Sequence, residues 1–375
     1  MPDFSSKAQP EQPEKTAVAG LAAGLFSFLE KEILFKKKSA LQKPAFKLKG
    51  FLTSDRDKRP SGYMNQAPLR DAYLRNYLPW HLPETFWIFN QVEKVYPTFF
   101  SDFFDLCLED KNSFQIFDLG AGPATASLSF RLWLAQKEKY EAVLKQSHWN
   151  LWDHSSRVLD VGEKLLGHTL EKAVISKIHL PLKGDFPTLV RKLKIGGEVP
   201  KARVVFLSHT LNEMGNGPRF RETKLHLVES IFKHLAHPDG CIVVAIEPPL
   251  REPTLDLMWL RDQFPSHILA PCPKGQDKCP MALRKAGWCY AQPPRSWAWG
   301  AGLAQSSHDL DRDTMGFSYW VASSQPLADS DDMKNSRVAV SDSSQMRSLW
   351  CEAGKLTAKF KETFHRGQIK TKDSK

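Results

Sequence analysis

The sequence predicts an α/β protein in which a parallel β-sheet carries helices on both faces. Two observations predict this class. Between residues 114 and 247, short apolar runs of strand length alternate with longer segments of helical periodicity. The first of these runs ends in a glycine-rich turn at 118–124. Such a turn, placed where a strand leads into a helix, lets the backbone approach a ligand closely.

The apolar runs are assigned to strands in chain order: 114–118, 149–153, 177–180, 203–207, 240–247 and, late in the chain, 317–322. Helices are predicted between them, near 123–138, from 154 through 166, and near 219–236. The segment before the sheet is rich in aromatic and apolar side chains and is predicted to be mainly helical.

Changes in composition divide the chain into regions. The predicted regions are a disordered tail (1–16), a helical N-terminal region (17–110), an α/β domain (111–325) and a basic C-terminal β extension (326–375). The α/β domain contains an irregular insertion, 264–312, that is dense in Cys, Pro and Trp. With 375 residues, of which 42% are hydrophobic, the chain is long enough to bury a substantial core.

The formal net charge is +10, which favours a polyanionic partner. Residues 31–60 contain ten Lys or Arg and three Asp or Glu, and residues 334–375 contain ten and four. Solvated basic termini are the alternative interpretation of these runs. No apolar stretch reaches the ~18 residues of a membrane helix, and the acids of the leader do not suit a transit peptide. We therefore expect no membrane partner and a cytoplasmic location, with the mitochondrial matrix as the second choice. The oligomeric state stays open.

The glycine-rich turn is the strongest local motif. Gly120 and Gly122 follow the first strand, Asp118 precedes them, and Asp153 ends the second strand. An acid at that strand end can accept the hydroxyls of a ribose, but its distance from the turn exceeds the ~20 residues of a compact dinucleotide fingerprint. This order resembles class I S-adenosylmethionine (SAM)-dependent methyltransferases. The resemblance implies that Asp118, Gly120 and Gly122 line the methionine moiety and that Asp153 binds the ribose. A Rossmann-like fold without a ligand is the alternative.

The fourth predicted strand leads into the polar segment 208–213. In a sheet of this kind that position faces cofactor and substrate. His209 and Asn212 are therefore candidate site residues, and we assign Asn212 to the cofactor site. Roles in capping or packing are equally compatible with the sequence.

Six cysteines occur, and three of them fall in the predicted insertion: Cys272, Cys279 and Cys289. Prolines next to two of them favour an extended loop around a metal centre. A closed site needs a fourth ligand. Cys351 is the best candidate, because Cys107 and Cys241 lie in segments predicted to be core. Four thiolates bind either zinc or a [4Fe–4S] cluster, and their spacing does not choose between them.

These pieces, in this order, resemble the mitochondrial small-ribosomal-subunit methyltransferase-like family, which also has bacterial relatives. The resemblance covers roughly residues 60–375 and rests on these segments: 70–79, 118–123, 152–155, 211–213, 247–248, 270–273, 279–280, 288–289 and Cys351. It implies a [4Fe–4S] cluster on the four cysteines and binding of small-subunit rRNA during assembly. The chain departs from the family pattern at Ala124, Pro249 and Lys274. The first two departures fall at the expected cofactor pocket.

Two functions remain open. One is a SAM-dependent rRNA methyltransferase, and the other is a non-catalytic small-subunit assembly factor that binds rRNA. Base methyltransferases often carry an Asn/Asp-Pro-Pro-aromatic clamp after the fourth strand, whereas this chain has Ser-His-Thr-Leu-Asn-Glu at 208–213. The sequence therefore identifies no catalytic residue. Whether the chain is an enzyme is left to experiment.

Overall fold

The computed structural model describes most of the chain between residues 17 and 327. The described residues are 17–34, 41–53, 55, 58–60, 62–109, 114–170, 174–180, 186, 190, 200–272, 279, 281, 288–293 and 316–327, together with the backbone of four later strands. The predicted disordered tail at 1–16 lies outside them, as does much of the predicted insertion. The division of the chain into regions therefore stays a prediction.

The first part of the described chain is helical, as predicted. Its helices are α1 (Ala17–Phe28), α2 (Gln42–Leu52), α3 (Ala67–Asn76), α4 (Leu78–Val95) and α5 (Pro97–Glu109). Helix α4 begins with a proline in its first turn and contains Pro83 in its interior. Proline lacks the amide hydrogen that an interior helical position normally donates, so Pro83 leaves one backbone acceptor of this helix without its usual partner.

The second part contains a seven-stranded sheet. Its strands are β1 (Phe114–Leu119), β2 (Ser147–Asp153), β3 (Val174–His179), β4 (Val204–Ser208), β5 (Ile242–Glu247), β6 (Ile268–Ala270) and β7 (Ser318–Ser323). They lie side by side in the order β3-β2-β1-β4-β5-β7-β6. The first five are parallel to one another, and β7 runs antiparallel to both β5 and β6.

Helices connect the parallel strands. They are α6 (Thr125–Leu134), α7 (Glu138–Lys145), α8 (Ser156–Thr169), α9 (Pro218–Ser230) and α10 (Arg251–Gln263). The single helix predicted at 123–138 is thus two helices, α6 and the start of α7. The strand β6 was not predicted, because three residues are too few to produce a periodic signal.

The core lies on both faces of the sheet. Successive residues of a strand point to opposite faces, and Ile116 and Phe117 of β1 accordingly belong to two different buried clusters. Ile116 faces a cluster in which the aromatic rings of α4 and α6 pack together, including Phe89 and Trp133, 4.9 Å apart. Phe117 faces the cluster formed with α9 and α10. Helices on both faces leave the ends of the strands as the accessible part of this sheet.

A second, antiparallel sheet follows in the C-terminal part of the chain. It consists of β8 (Ser336–Asp342), β9 (Arg347–Glu352), β10 (Lys355–Thr357) and β11 (Ile369–Thr371), in the order β10-β9-β8-β11. Among the residues that the structure describes, no helix has both the length and the apolar composition needed to cross a bilayer.

Candidate cofactor site

The turn after β1 requires glycine. Gly120 has φ +75° and Gly122 has φ +52°, both in the left-handed region that side chains disfavour. A Cβ atom on Gly120 would lie 2.4 Å from Oγ1 of Thr210, which is far inside van der Waals contact. The Gly120 amide donates to the carbonyl of Trp152 at 2.7 Å, so the turn is tied to the end of β2. The backbone of the turn is therefore held close to the neighbouring strand ends.

Ala124 continues the left-handed backbone, with φ +62°. Glycine adopts this conformation without the steric cost that a Cβ atom adds. The methyl group of Ala124 is fully buried, and α8 approaches it at Gly162. A Cβ on Gly162 would come within 3.2 Å of the Ala124 Cβ. The alanine is thus accommodated because the facing helix has a glycine.

Asp118 lies behind the turn. Its side chain is buried, and its Oδ2 accepts hydrogen bonds from the backbone N–H and the Oγ of Ser127, at 3.2 and 2.7 Å. Burial raises the pKa of Asp118 to about 6, although the bonds from Ser127 act in the opposite direction. Asp118 therefore fixes the start of α6, and it is not one of the residues that line the cavity described next. Its predicted contact with the methionine moiety stays a prediction.

A cavity of about 620 Å³ opens at the carboxyl ends of β1, β2 and β4. This volume is in the range of small-molecule and cofactor sites. Gly120, Gly122, Asp153 and Asn212, four of the predicted cofactor residues, all line it. Three tyrosines from the helical N-terminal part line another part of its wall: Tyr63, Tyr73 and Tyr77. In open α/β sheets ligands bind at this end of the strands.

Asp153 connects the second strand to the turn. Its Oδ2 accepts the Gly122 N–H at 3.0 Å, and its Oδ1 accepts the Ser155 N–H at 2.8 Å. The pKa of Asp153 is raised above its ordinary value, because the effect of burial exceeds the opposite effects of the nearby His154 and of these backbone donors. The carboxylate is thus held at the cavity wall by two backbone amides.

Asn212 lies on the cavity wall, but its amide group bonds inward. Its Nδ2 donates to the His209 carbonyl at 2.8 Å and to the carboxylate of Glu247, and its backbone N–H donates to Glu247 Oε1 at 3.1 Å. Glu247 ends β5 and is buried, which raises its pKa to about 7. The donor atoms of Asn212 therefore hold two strand ends together.

A group that the sequence did not reveal as a unit lies in the same wall. Glu84 of α4 accepts from His81 Nδ1 through Oε1 and from His209 Nε2 through Oε2, each at 2.9 Å. Burial acts to raise the pKa of Glu84, but the two imidazoles outweigh it and lower the pKa to about 2. The sequence singled out His209 alone. The only available signal for the partners was the spacing of His81 and Glu84, which places them on one helical face.

The three cysteines of the predicted insertion lie around one small cavity. Cys272, Cys279 and Cys289 line a space of about 20 Å³ that α10 and β7 close on the other sides. This volume is enough for one water-sized group. Burial raises the pKa of the Cys272 thiol, and the positive charge of Arg261 beside it acts in the opposite direction. The side chain of Cys351 lies outside the described residues, although its backbone belongs to β9.

A protein-family model described as mitochondrial small ribosomal subunit Rsm22 matches residues 104–368, which is 265 of the 375 residues. No curated protein is significantly similar to the chain in sequence.

Solved structures similar to this chain include several methyltransferases. One is the plantazolicin methyltransferase BpumL in complex with SAH, 11% identical, with 76% of this chain and 98% of that chain covered and a TM-score of 0.34. Another is an O-methyltransferase from Bacillus cereus in complex with SAH, which is 10% identical. That match covers 82% of this chain and 99% of that chain, with a TM-score of 0.30. A third, the amino pentose methyltransferase CalS10 from Micromonospora echinaspora, is 16% identical, and the match covers 44% of this chain and only 50% of that chain, with a TM-score of 0.25. At these identities and TM-scores the matches carry no argument about the fold or the function of this chain. The strand order described above, with β7 antiparallel, resembles that of class I methyltransferases. The predicted α/β fold class is confirmed, whereas the Cys-rich metal-binding insertion stays a prediction.

Proposed function

The chain belongs to the mitochondrial small ribosomal subunit Rsm22 family, and we propose that it acts on the small ribosomal subunit as a SAM-binding protein. One observation carries the choice of cofactor. The 620 Å³ cavity lies at the strand ends of a class I methyltransferase fold, and Gly120, Gly122 and Asp153 line it. The glycines bring backbone close to the ligand, and Asp153 offers a carboxylate to the ribose hydroxyls.

Calorimetric titration of the full chain with SAM and SAH tests this proposal. We expect Asp153→Asn to weaken binding by about 10- to 100-fold, because a hydrogen bond to a charged group contributes about 1.5–3 kcal/mol. Asp160→Asn is the matched control, since Asp160 lies on the solvent side of α8 in a bridge to Lys177. No binding to the wild-type chain, or equal affinity in the two variants, would contradict the assignment.

Methyl transfer to small-subunit rRNA is the activity that we propose for the bound cofactor. A non-catalytic assembly role is the second candidate, and the inward bonds of Asn212 favour it, because this side chain then offers its amide hydrogens to protein and not to a substrate. Mapping the methylated nucleotides of small-subunit rRNA with and without the gene separates the two. A missing methyl group supports the enzyme. An unchanged map together with defective subunit assembly supports the second role.

We also propose that Cys272, Cys279, Cys289 and Cys351 bind a [4Fe–4S] cluster. The common cavity of the first three thiols supports a metal centre, and the family resemblance supports the cluster. Zinc is the alternative, and the small volume of this cavity, about 20 Å³, favours it. A bound cluster would supply either redox chemistry or a rigid link between the insertion and β9.

Purification without oxygen tests the metal centre. A cluster gives a brown protein with about four irons per chain, whereas a colourless protein that contains only zinc removes the cluster. Cys351→Ser is expected to lose the metal as completely as Cys279→Ser does. Cys107→Ser, at a buried thiol of α5, is the matched control and keeps it. Retention of the metal by Cys351→Ser would show that the fourth ligand is another residue.

The partner that we propose is small-subunit rRNA, contacted by basic segments that include α2. Lys43, Lys47 and Lys49 are exposed on this helix. Contacts between lysines and phosphates make RNA affinity fall with salt, and removal of one contact lowers the slope of log K against log salt by about one. Substitution of the three lysines by Gln should therefore reduce the slope. A slope equal to that of the wild type would exclude α2 from the interface.

A further inference from the structure

His81, Glu84 and His209 form a compact set of potential metal ligands. One donor atom from each residue can be chosen so that all three lie within 4.8 Å of one another. Nδ1 of His81 lies 2.9 Å from Oε1 of Glu84, and Nε2 of His209 lies 2.9 Å from its Oε2. The two imidazole rings are close to perpendicular, at 80°, with their centroids 4.3 Å apart. Three side chains from two distant parts of the sequence thus converge on one point.

The donor set has a recognised chemistry. Two histidines and one carboxylate bind zinc in hydrolytic sites and iron(II) in facial triads. Ligands at about 2.1 Å from an ion and at right angles to each other are about 3 Å apart. One nitrogen of His81 and one of His209 each lie 2.9 Å from a different oxygen of Glu84, and donor atoms of the three residues lie within 4.8 Å of one another, which is near enough to share one ion. A bound ion would replace the two hydrogen bonds and release the protons that the bonded nitrogens donate to Glu84.

The backbone supports a specific role for this set. His209 has φ +57°, a left-handed conformation that is uncommon for a residue other than glycine. Such strain persists where the surrounding structure requires it, and it is concentrated at functional sites. Here it places the ring of His209 against Glu84, whose side chain is only 5% exposed. A buried carboxylate of this kind needs a nearby positive charge, and a divalent cation would provide one.

The location gives an ion access to ligands. His81 and His209 line the 620 Å³ cavity, and Glu84 lies behind them. We infer that His81, Glu84 and His209 bind one divalent transition-metal ion, of the zinc or iron(II) class, with its remaining positions open to the cavity. This site is separate from the thiols and does not depend on the binding of SAM. It would place a Lewis acid in the wall that faces the proposed cofactor.

Anaerobic titration of the full chain with Co²⁺ tests the site, with bound cobalt followed by absorption spectroscopy. The visible bands report nitrogen and oxygen ligands, and sulfur-to-cobalt charge transfer reports any cobalt on the thiols. The wild-type chain is expected to bind one Co²⁺ through nitrogen and oxygen ligands, in addition to any cobalt on the thiols, which the charge-transfer band reports separately. Glu84→Gln and His209→Asn are expected to weaken this binding by more than about 100-fold, because loss of a ligand exceeds the 10- to 100-fold effect of outer-shell changes.

The variants are chosen to fold. Gln keeps the shape of Glu84, and Asn tolerates the left-handed backbone at His209. Circular dichroism and thermal unfolding establish which variants are folded, and His81→Gln takes the place of either one that is not. His154→Asn, at a histidine on the same cavity wall, is the control and is expected to bind like wild type. Equal cobalt affinity in all chains, or cobalt found only on thiolates in the wild type, would overturn the inference.

Discussion

Gly120→Ala should be one of the most destabilising single-methyl changes in this protein. A left-handed backbone costs a residue with a Cβ about 1–2 kcal/mol. The new methyl group would also lie 2.4 Å from Thr210 Oγ1 and 2.9 Å from its Cγ2. Thr210 cannot move freely, because its hydroxyl donates to the Leu119 carbonyl at 2.6 Å. Overpacking of this kind costs about 1–3 kcal/mol, so the expected loss of unfolding free energy is about 2–5 kcal/mol.

Thermal unfolding measures this loss. For 375 residues the entropy of unfolding is about 0.8 kcal/mol per degree, so Tm should fall by about 3–6 °C. Gly122→Ala is the matched control. Its φ is +52°, but a Cβ there meets no atom within 4 Å, so only the backbone cost of about 1–2 kcal/mol applies. The Tm of the Gly122→Ala control should therefore fall by only about 1–3 °C.

A double variant separates the two contributions at Gly120. Thr210→Ala alone removes a hydrogen bond and is expected to cost about 1 kcal/mol. In the Gly120→Ala background it also removes the two closest atoms, so the double variant should be more stable than additivity of the single changes requires. Equal losses for Gly120→Ala and Gly122→Ala, together with additive effects in the double variant, would refute the steric explanation of this turn.

Three further changes probe buried polar groups. The pKa of Glu247 is about 7, against its ordinary value of 4.5. Between these two pH values the folded state binds more protons than the unfolded state, so the free energy of unfolding falls by about 3 kcal/mol as the pH rises through this range. Glu247→Gln should remove this contribution and so reduce the slope, and urea unfolding at pH 5 and pH 8 tests it; an unchanged slope would assign the effect to other buried carboxyls such as Asp118. Lys224→Met breaks a buried 2.7 Å ion pair with Asp256, which keeps its second partner Arg221, and the unfolding free energy measured with urea should fall by about 2 kcal/mol; loss of an exposed ion pair would lower it by less than about 1 kcal/mol. Ser127→Ala removes a donor to Asp118 and should raise the pKa of this carboxyl above about 6, which NMR titration would detect; an unmoved pKa would show that the bond is unimportant.

The sequence was most informative where burial alone determines structure. The strands β4 and β5 are almost continuous apolar runs because both faces of a parallel sheet are covered. β1 and β2 also carry polar side chains but are buried along nearly their whole length, and all four strands occur where they were predicted. The strand β3 is only partly buried, yet its predicted range, 177–180, overlaps Val174–His179. The strand β6 escaped prediction because it depends on pairing with β7, which lies about 50 residues later in the sequence.

For the site, the sequence indicated positions better than side-chain roles. Gly120, Gly122 and Asp153 line the cavity because the strand-to-helix turn dictates where they lie. The inward bonds of Asp118 and Asn212 could not be foreseen, since each depends on a partner whose distance is set by packing. The grouping of Glu84 with His209 likewise joins residues that only the tertiary fold brings together.

A single short segment forms part of both cavities. Within residues 288–292, Cys289 contacts the thiol cavity while Tyr290 and Gln292 contact the larger one. The Trp288 indole also donates a hydrogen bond to the Pro249 carbonyl at 3.1 Å, which connects residues 288–292 to the rim of the larger cavity. Oxidation of these thiols would therefore shift a wall of the cavity in which we propose that SAM binds. The affinity of the proposed SAM site should then differ between the reduced and the oxidised chain.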